Sequence, residues 1–351
     1  MKVQYNIKSS GSAPLLFPTN TFFGLLWYEE EEALDIPKCY PYQGEWGEVL
    51  SNMLLIRDEY PIPTLLSLIY LSIVEQKFYG IEAELPEEKI EEQWKRVDER
   101  SKEAMFSHIV VGMAPYGGIA VWVRGFNKSV VMEWMKGEEI DVDMADFLPN
   151  NPTRKLKEYC DTYINIDLCV KENLKRNGLP PRDLFDNYMK QFLYRYISIF
   201  EKWNGEKGKW MKNEEGELEP VFDYIEESLF DGTHDKLHDG GLMKYHQAGK
   251  PKKLRVQWHI GKSEYSAYFW FEDERIREVF DKFYGAHPDT KTDFIIRIDA
   301  EKRKYELALY RYGLKEPQVM PEDVYQLIVF KNKFEDYRSD NYNQERGAWI
   351  W

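Results

Sequence analysis

Apolar positions cluster most tightly in residues 106–125, FSHIVVGMAPYGGIAVWVRG. His108-Ile109-Val110-Val111 and Ile119-Ala120-Val121-Trp122-Val123 are apolar, β-branched runs of strand length, too short for helices. Met113-Ala114-Pro115-Tyr116-Gly117-Gly118 joins them with one residue of fixed φ and two that tolerate positive φ, which is hairpin chemistry. A diverged version of these surroundings recurs downstream. The same offset, 186 residues, separates Tyr79 from Tyr265, Ile90 from Ile276, Trp94 from Phe280 and Ile109 from Ile295. Each copy reads as strand (65–73; 254–260), strand (78–85; 265–271) and helix (86–97; 272–284), then strand, turn and strand, ending at Gly125 and Gly313. The expected fold is α+β: two similar antiparallel β-β-α-β-β halves, copy one over 65–125 and copy two over 254–313. The alternative is two unrelated amphipathic stretches.

The two helices share a stripe. Pro86 opens the first at a position where a missing N–H costs nothing, and Glu87 and Glu88 complement the helix dipole. Ile90, Trp94 and Val97 form its apolar face, which Ile276, Val279, Phe280 and Phe283 repeat before Gly285 ends the second helix. Each helix should lie on its own sheet. Before copy one, residues 1–60 read as irregular β-structure with a strand at 21–28, and Glu29–Glu32 as a solvated edge.

Between the copies the pattern changes, so the domains are expected as 1–150, a helical and acidic-loop insertion over 151–250, and 251–351. After Pro180-Pro181 the series Phe185, Tyr188, Met189, Phe192, Tyr196, Ile199 and Trp203 keeps steps of three and four until Asn204-Gly205, which predicts a helix packed on the sheets, with a binding groove as the alternative. Residues 206–239 should be mostly loop. The aromatic C-terminus, Tyr337–Tyr342 and Gly347–Trp351, is expected to pack.

Composition narrows the function classes. Aromatics are 15% of the 351 residues and hydrophobics 43%, enough for a sizeable core rather than a disordered chain. Net charge is −14, so nucleic acid is not an expected partner without a basic stripe. Lys250-Pro251-Lys252-Lys253 is too short for one and reads as a solvated loop. Cys39, Cys160 and Cys169 lack metal-like spacing and argue against a disulfide framework. The N-terminus lacks an apolar h-region and no run of eighteen apolar residues occurs, so a cytoplasmic protein without a membrane span is expected.

Candidate chemistry is sparse. Gly112–Gly118 lacks the Lys and Ser/Thr that a phosphate loop needs, so it reads as a structural hairpin and no cofactor is expected. His234 and His238 stand at i and i+4 near Asp231, Asp235, Asp239 and His246, a possible Zn²⁺ set that no thiolate or defined helix supports; an exposed loop is the preferred reading. His259 opposes Trp258 on its strand and reads as a surface or satisfied residue. No nucleophile motif appears, and no carboxylate pair stands out as acid and base. Residues 206–239 hold eleven acidic and four basic residues, a net −7. Glu214, Glu215, Glu217 and Glu219 in this stretch are the candidate partner-binding residues.

The chain resembles the bacterial domain of unknown function 2931 family, in particular its longer Bacteroidetes-type members. The resemblance rests on Gly44-Glu45-Trp46-Gly47-Glu48, on Glu75–Tyr79 leading to Leu85–Ile90, on Ile109–Pro115 with Trp122, and on Tyr337–Tyr342. Tyr70 stands where relatives usually carry Trp, and the lipoprotein leader of many relatives is absent. The resemblance implies a shape and no catalytic motif. The functional expectation is a non-catalytic interaction protein whose acidic surface neutralises a basic partner such as a toxin. The alternative is a hydrolase or small-ligand enzyme with a site assembled from scattered carboxylates and histidines.

Overall fold

The computed structural model describes residues 3–29, 32–38, 41–51, 59–97, 104–207, 209–212, 220–238, 244–299 and 304–333. The chain is mixed α+β, dominated by strands, and divides into two compact units, residues 1–189 with 231–233, and residues 190–230 with 234–351. Cys39, Glu30, Glu31, Asp239, the four glutamates Glu214, Glu215, Glu217 and Glu219, and Tyr337–Trp351 lie outside the described residues.

The first unit contains β1 (Lys8–Ser12), β2 (Thr19–Glu29), β3 (Glu32–Asp35), β4 (Leu65–Ser72), β5 (Lys77–Glu84), α1 (Glu87–Trp94), β6 (His108–Met113), β7 (Gly118–Arg124), β8 (Ser129–Lys136) and β9 (Glu138–Ile140). Helices α2 (Met144–Phe147), α3 (Leu156–Ile166), α4 (Leu168–Asn177) and α5 (Leu184–Tyr188) follow. The strands run β3-β2-β4-β5-β9 in one sheet and β1-β6-β7-β8 in another. The hairpins β4/β5 and β6/β7 therefore lie in different sheets, and the residues between them supply α1. Leu66, Leu68 and Tyr70 of β4 meet Ile109, Val111, Ile119 and Val121 of the other sheet in one core, with Ile90 and Trp94 from α1. Alternation accounts for this: in β7 the residues Ile119, Val121 and Val123 face that core, while Ala120 and Trp122 join a separate cluster. At α4, Asp167 accepts from the Val170 amide and Gly178 ends the helix at φ 73°.

The second unit contains β10 (Phe192–Phe200), β11 (Lys202–Asn204), β12 (Lys209–Met211), β13 (Val221–Leu229), β14 (His234–Leu237), β15 (His246–Ala248), β16 (Pro251–Ile260), β17 (Ser263–Phe271), α6 (Asp273–Tyr284), β18 (Thr292–Asp299), β19 (Lys304–Arg311), β20 (Gln318–Val319) and β21 (Tyr325–Lys333). Its strands run β14-β13-β16-β17-β21 and β15-β10-β18-β19-β20, with β11/β12 a separate hairpin. Its core is aromatic. Phe280 of α6 packs 5.2 Å from Phe192 and 6.0 Å from Tyr194, and Trp258 and Phe269 reach Tyr305 at 6.3 and 6.2 Å.

Four expectations change. The predicted helix over 185–203 ends at Tyr188; Phe192–Phe200 is strand, and Asn204 begins the turn of a hairpin whose Trp203 and Trp210 pair across it at 5.4 Å. Residues 221–237, expected as loop, form the antiparallel pair β13/β14. Pairing is not wholly antiparallel, since β1/β6 and β10/β18 run parallel, as strands separated by long crossovers can. Lys250, expected in a solvated loop, is fully buried. Among the described residues no helix is long and apolar enough to cross a membrane, which says nothing of a β-barrel.

Candidate functional site

The Gly112–Gly118 turn is a structural device. Glu75, in the turn between β4 and β5, accepts the Tyr79 hydroxyl at 2.8 Å and the Tyr116 amide at 2.8 Å through its two oxygens. Tyr116 sits at φ 60° and Gly117 at 74°, and the buried Tyr70 hydroxyl donates to the Ala114 carbonyl at 2.6 Å. An anion at this turn would compete with Glu75 for the Tyr116 amide. Burial, with Glu75 next, pushes the Tyr70 phenol well up, so it stays a donor.

The residues that carry the family resemblance converge beside this turn. Trp46 meets Trp122 edge to face at 4.8 Å, and a side chain at Gly112 would collide with both rings. The Gly47 amide donates to Ser12 Oγ at 3.1 Å, and its carbonyl accepts from Arg124 at 3.0 Å. Trp122 itself donates to the Asp231 carbonyl at 2.9 Å.

The unusual chemistry is in the second unit. Glu227, on the inward face of β13 between Ile225 and Leu229, is only 2% exposed. The buried Tyr196 hydroxyl donates to its Oε2 at 2.7 Å and stands 3.5 Å from the Tyr194 hydroxyl, which donates to the Gly249 carbonyl at 2.7 Å. His246, on β15 opposite Tyr194, directs Nε2 toward Glu227 Oε1 at 3.7 Å while Nδ1 lies 3.1 Å from the Lys244 carbonyl. A neutral imidazole that donates from Nδ1 to that carbonyl aims a lone pair at a carboxylate; a second proton turns this repulsion into attraction. Burial acts to lower the His246 pKa, but Glu227 outweighs it and the net shift is upward. Burial, then Glu227, pushes Tyr196 well up. Nearby in sequence, burial pulls the Lys250 ammonium down to about 8 against the opposing pull of Asp281, and its Nζ lies 4.9 Å from the Phe192 ring.

This arrangement can hold a proton between a half-buried imidazole and a buried carboxylate, with the Tyr196 phenol fixing the carboxylate and Tyr194 held beside it by the Gly249 carbonyl. The raised His246 pKa gives a signed expectation. Its stabilisation is fully present below the ordinary imidazole value of about 6.5 and is lost as pH rises through the higher folded-state value. Stability of the second unit to heat should therefore fall as pH rises above the ordinary imidazole value, and His246→Gln should flatten that slope. An unchanged slope in the variant would exclude His246 as its source.

The predicted candidates are not drawn together. His234 and His238 lie on and just past the extended β14, where four residues span about 13 Å, too far for one ion. His234 Nδ1 is 3.1 Å from Ser228 Oγ, and the His238 ring packs 5.6 Å from Tyr224. His259 Nδ1 is 2.9 Å from Asp223 at the surface. No group of three or more His, Cys, Asp or Glu able to hold a metal occurs among the described residues. Tyr196 reads in the sequence as one position of an apolar stripe and Tyr194 and Glu227 carry no local motif, although Ile225, Glu227 and Leu229 alternate as one face of a strand would.

Taken together, the fold defines a strand-rich α+β protein whose unusual side chains are mostly enclosed. Residues 31–180 match the family model described as protein of unknown function (DUF2931), in agreement with the resemblance over that stretch. No curated protein and no solved structure matches the chain.

Proposed function

We propose that this is a non-catalytic binding protein, made of two versions of one unit, whose acidic surface takes a basic partner such as a toxin that it neutralises. The observation that carries the binding reading is charge: residues 206–239 hold a net −7 of the chain's −14, with only Glu227 and Asp231 buried among the described acidic residues of the stretch. Such a stretch steers a basic protein and raises its association rate more than it slows dissociation. Association with a basic partner co-purified from the native host should slow about tenfold from low to physiological salt while dissociation changes little. Glu214, Glu215, Glu217 and Glu219 changed together to Gln should reproduce the high-salt rate without lowering the melting temperature. Only neutral or acidic partners, or an association rate indifferent to salt and to the four changes, would overturn it.

Strand pairings support the duplication. In the first unit β2 lies against β4, β4 against β5, β6 against β7, and β1 runs parallel to β6. In the second, β13, β16, β17, β18, β19 and β10 have the same neighbours in the same directions. The offset of 186 relates Ala83 to Phe269, and the ladders then relate Leu66 to Leu254 and Leu26 to Glu227. It slips by one at β18. Val123 corresponds to Leu309 but pairs with Ile109, whereas Leu309 pairs with Phe294, so Ile109 corresponds to Phe294 rather than to Ile295. Ser9 beside Ile109 then corresponds to Tyr196, and Ile7 to Tyr194. The first unit thus closes its core with Ile7, Ser9 and Leu26, all buried, where the second holds two phenols and a carboxylate. Glu227 is a departure from the unit's common plan, not a requirement of it.

That departure favours a second reading, a hydrolase or small-ligand enzyme using Glu227 and His246 as base and acid. It requires the core around Glu227 to open to substrate. Amide exchange on β10 and β13 at the rate of global unfolding opposes that reading, and fast local exchange there favours it.

A further inference from the structure

β17 pairs with β21 over all nine of its residues without a register shift, and among the described residues no strand or turn bonds to the other side of β21. An open edge of that length presents a row of backbone N–H and C=O groups to any extended chain, and proteins ordinarily blunt such edges. Strands β3, β9, β15 and β20, which also have a neighbour on one side only, are four, three, three and two residues long, and β1 is buried over Ser9–Ser12. The contrast is sharpest between β9 and β21. β9 flanks the β4/β5 hairpin with Glu138-Glu139-Ile140, whereas β21 flanks β16/β17 with Leu327-Ile328-Val329-Phe330. Those four residues are all half-buried, and no proline, glycine, charge or bulge interrupts them.

Register places each side chain. Leu327 and Val329 stand opposite the buried Phe269 and Ala267 and continue the inner face, while Ile328 and Phe330 stand opposite Tyr268 and Ser266 on the outer face. The Phe330 ring meets the Tyr268 ring edge to face at 5.5 Å. Apolar side chains therefore line both faces of the edge near its middle, bracketed by Gln326 and by Lys331, whose Nζ lies 5.3 Å from the Tyr265 ring. Antiparallel pairing with an identical strand lays this apolar middle against itself on both faces, about a two-fold axis normal to the sheet. Charge selects the same direction. Glu322 and Asp323 precede the strand and Lys331 lies near its end, so antiparallel copies set unlike ends side by side, whereas parallel copies would oppose like ends. Both acids also meet cations of their own chain, Lys304 at 3.2 Å and Arg275 at 3.1 Å, so the apolar middle supplies most of the attraction.

We propose that β21 is the surface through which two copies of this chain join, by antiparallel β21–β21 pairing that continues the β13-β16-β17-β21 sheet from one copy into the other. Main-chain hydrogen bonds supply the affinity of such a strand addition, and the half-buried side chains at 327–330 supply its self-recognition. One strand pair is a small contact, so the dimer should form in the micromolar range. Nothing in this pairing depends on the acidic stretch, on a basic partner or on the duplication.

Sedimentation velocity of the full chain from about 1 to about 100 μM should show a monomer–dimer equilibrium. Amide exchange on β21 should slow as concentration rises through that range. Ile328→Lys with Phe330→Lys sets like charges across the pair and should weaken dimerisation about a hundredfold, and mixing with the chain carrying Ile328→Glu and Phe330→Glu should restore it. A parent that stays monomeric throughout, β21 exchange indifferent to concentration, or a Lys variant that dimerises like the parent would each overturn the proposal. So would two folded variants of opposite charge that do not associate when mixed. Dimerisation that appears only after removal of residues 334–351 would overturn it too, by showing that the chain's own end occupies β21.

Discussion

Trp122→Ala should destabilise the first unit by about 3–5 kcal/mol, the range for removing a large aromatic from a packed core. Trp122 is fully buried, and its removal leaves three deficits at once. The Trp46 ring loses its edge-to-face partner at 4.8 Å, the Asp231 carbonyl loses its donor, and the space against Gly112 and Gly232 empties. Both glycines approach the indole closely enough that neither can fill the void by adding a side chain without moving backbone or ring. Phe280→Ala should cost a similar amount in the second unit, where its ring touches Phe192, Tyr194 and Tyr284. Denaturant unfolding of each variant measures both. The two losses should fall in different transitions if the units melt separately. Unchanged curves for both would exclude burial.

Glu227→Ala should be as damaging, about 3–5 kcal/mol, for a different reason. It removes the acceptor of the fully buried Tyr196 hydroxyl and the charge facing the half-buried His246. The sign should reverse when the partners leave together. Glu227→Leu with Tyr196→Phe substitutes apolar groups of similar shape, and under the proposed duplication Leu26 is the residue at the matching position. That double variant should recover most of the loss and could exceed the parent by about 1–4 kcal/mol. Urea titration of the single and double variants measures this. A double variant as unstable as Glu227→Ala would mean that the carboxylate is required for packing.

Much of the frame was legible because it rests on local chemistry. The β6/β7 hairpin announced itself by Pro115, Gly117 and Gly118, and the α1 and α6 stripes by Ile90, Trp94, Ile276 and Phe280, all buried. The assignment of the β4/β5 and β6/β7 hairpins, and of β16/β17 and β18/β19, to different sheets was not legible, since pairing partners such as β1 and β2 are distant and carry no local signal. The misread strand β10 has a definite cause. Phe192 and Tyr196 are four apart, which suits a helix, but Tyr194 between them completes a period of two, and both periods share those positions. Ile197 and Ile199, β-branched on either side of Ser198, tip the balance to strand. Glu227 was hidden by its company, because Glu226-Glu227 in an acidic stretch reads as solvent-facing until Ile225 and Leu229 are seen to share its side.

The proposed duplication means one fold used twice, with chemistry put into the second use. Superposing β4–β7 with α1 on β16–β19 with α6 in a crystal structure of the protein tests it. Coincident strand order and direction, Leu26 over Glu227 and Ser9 over Tyr196, and both helices on the same side of their sheets are the expected result. Unlike strand order, helices on opposite sides, or a Glu227 side chain open to solvent with no counterpart in the first unit would contradict it.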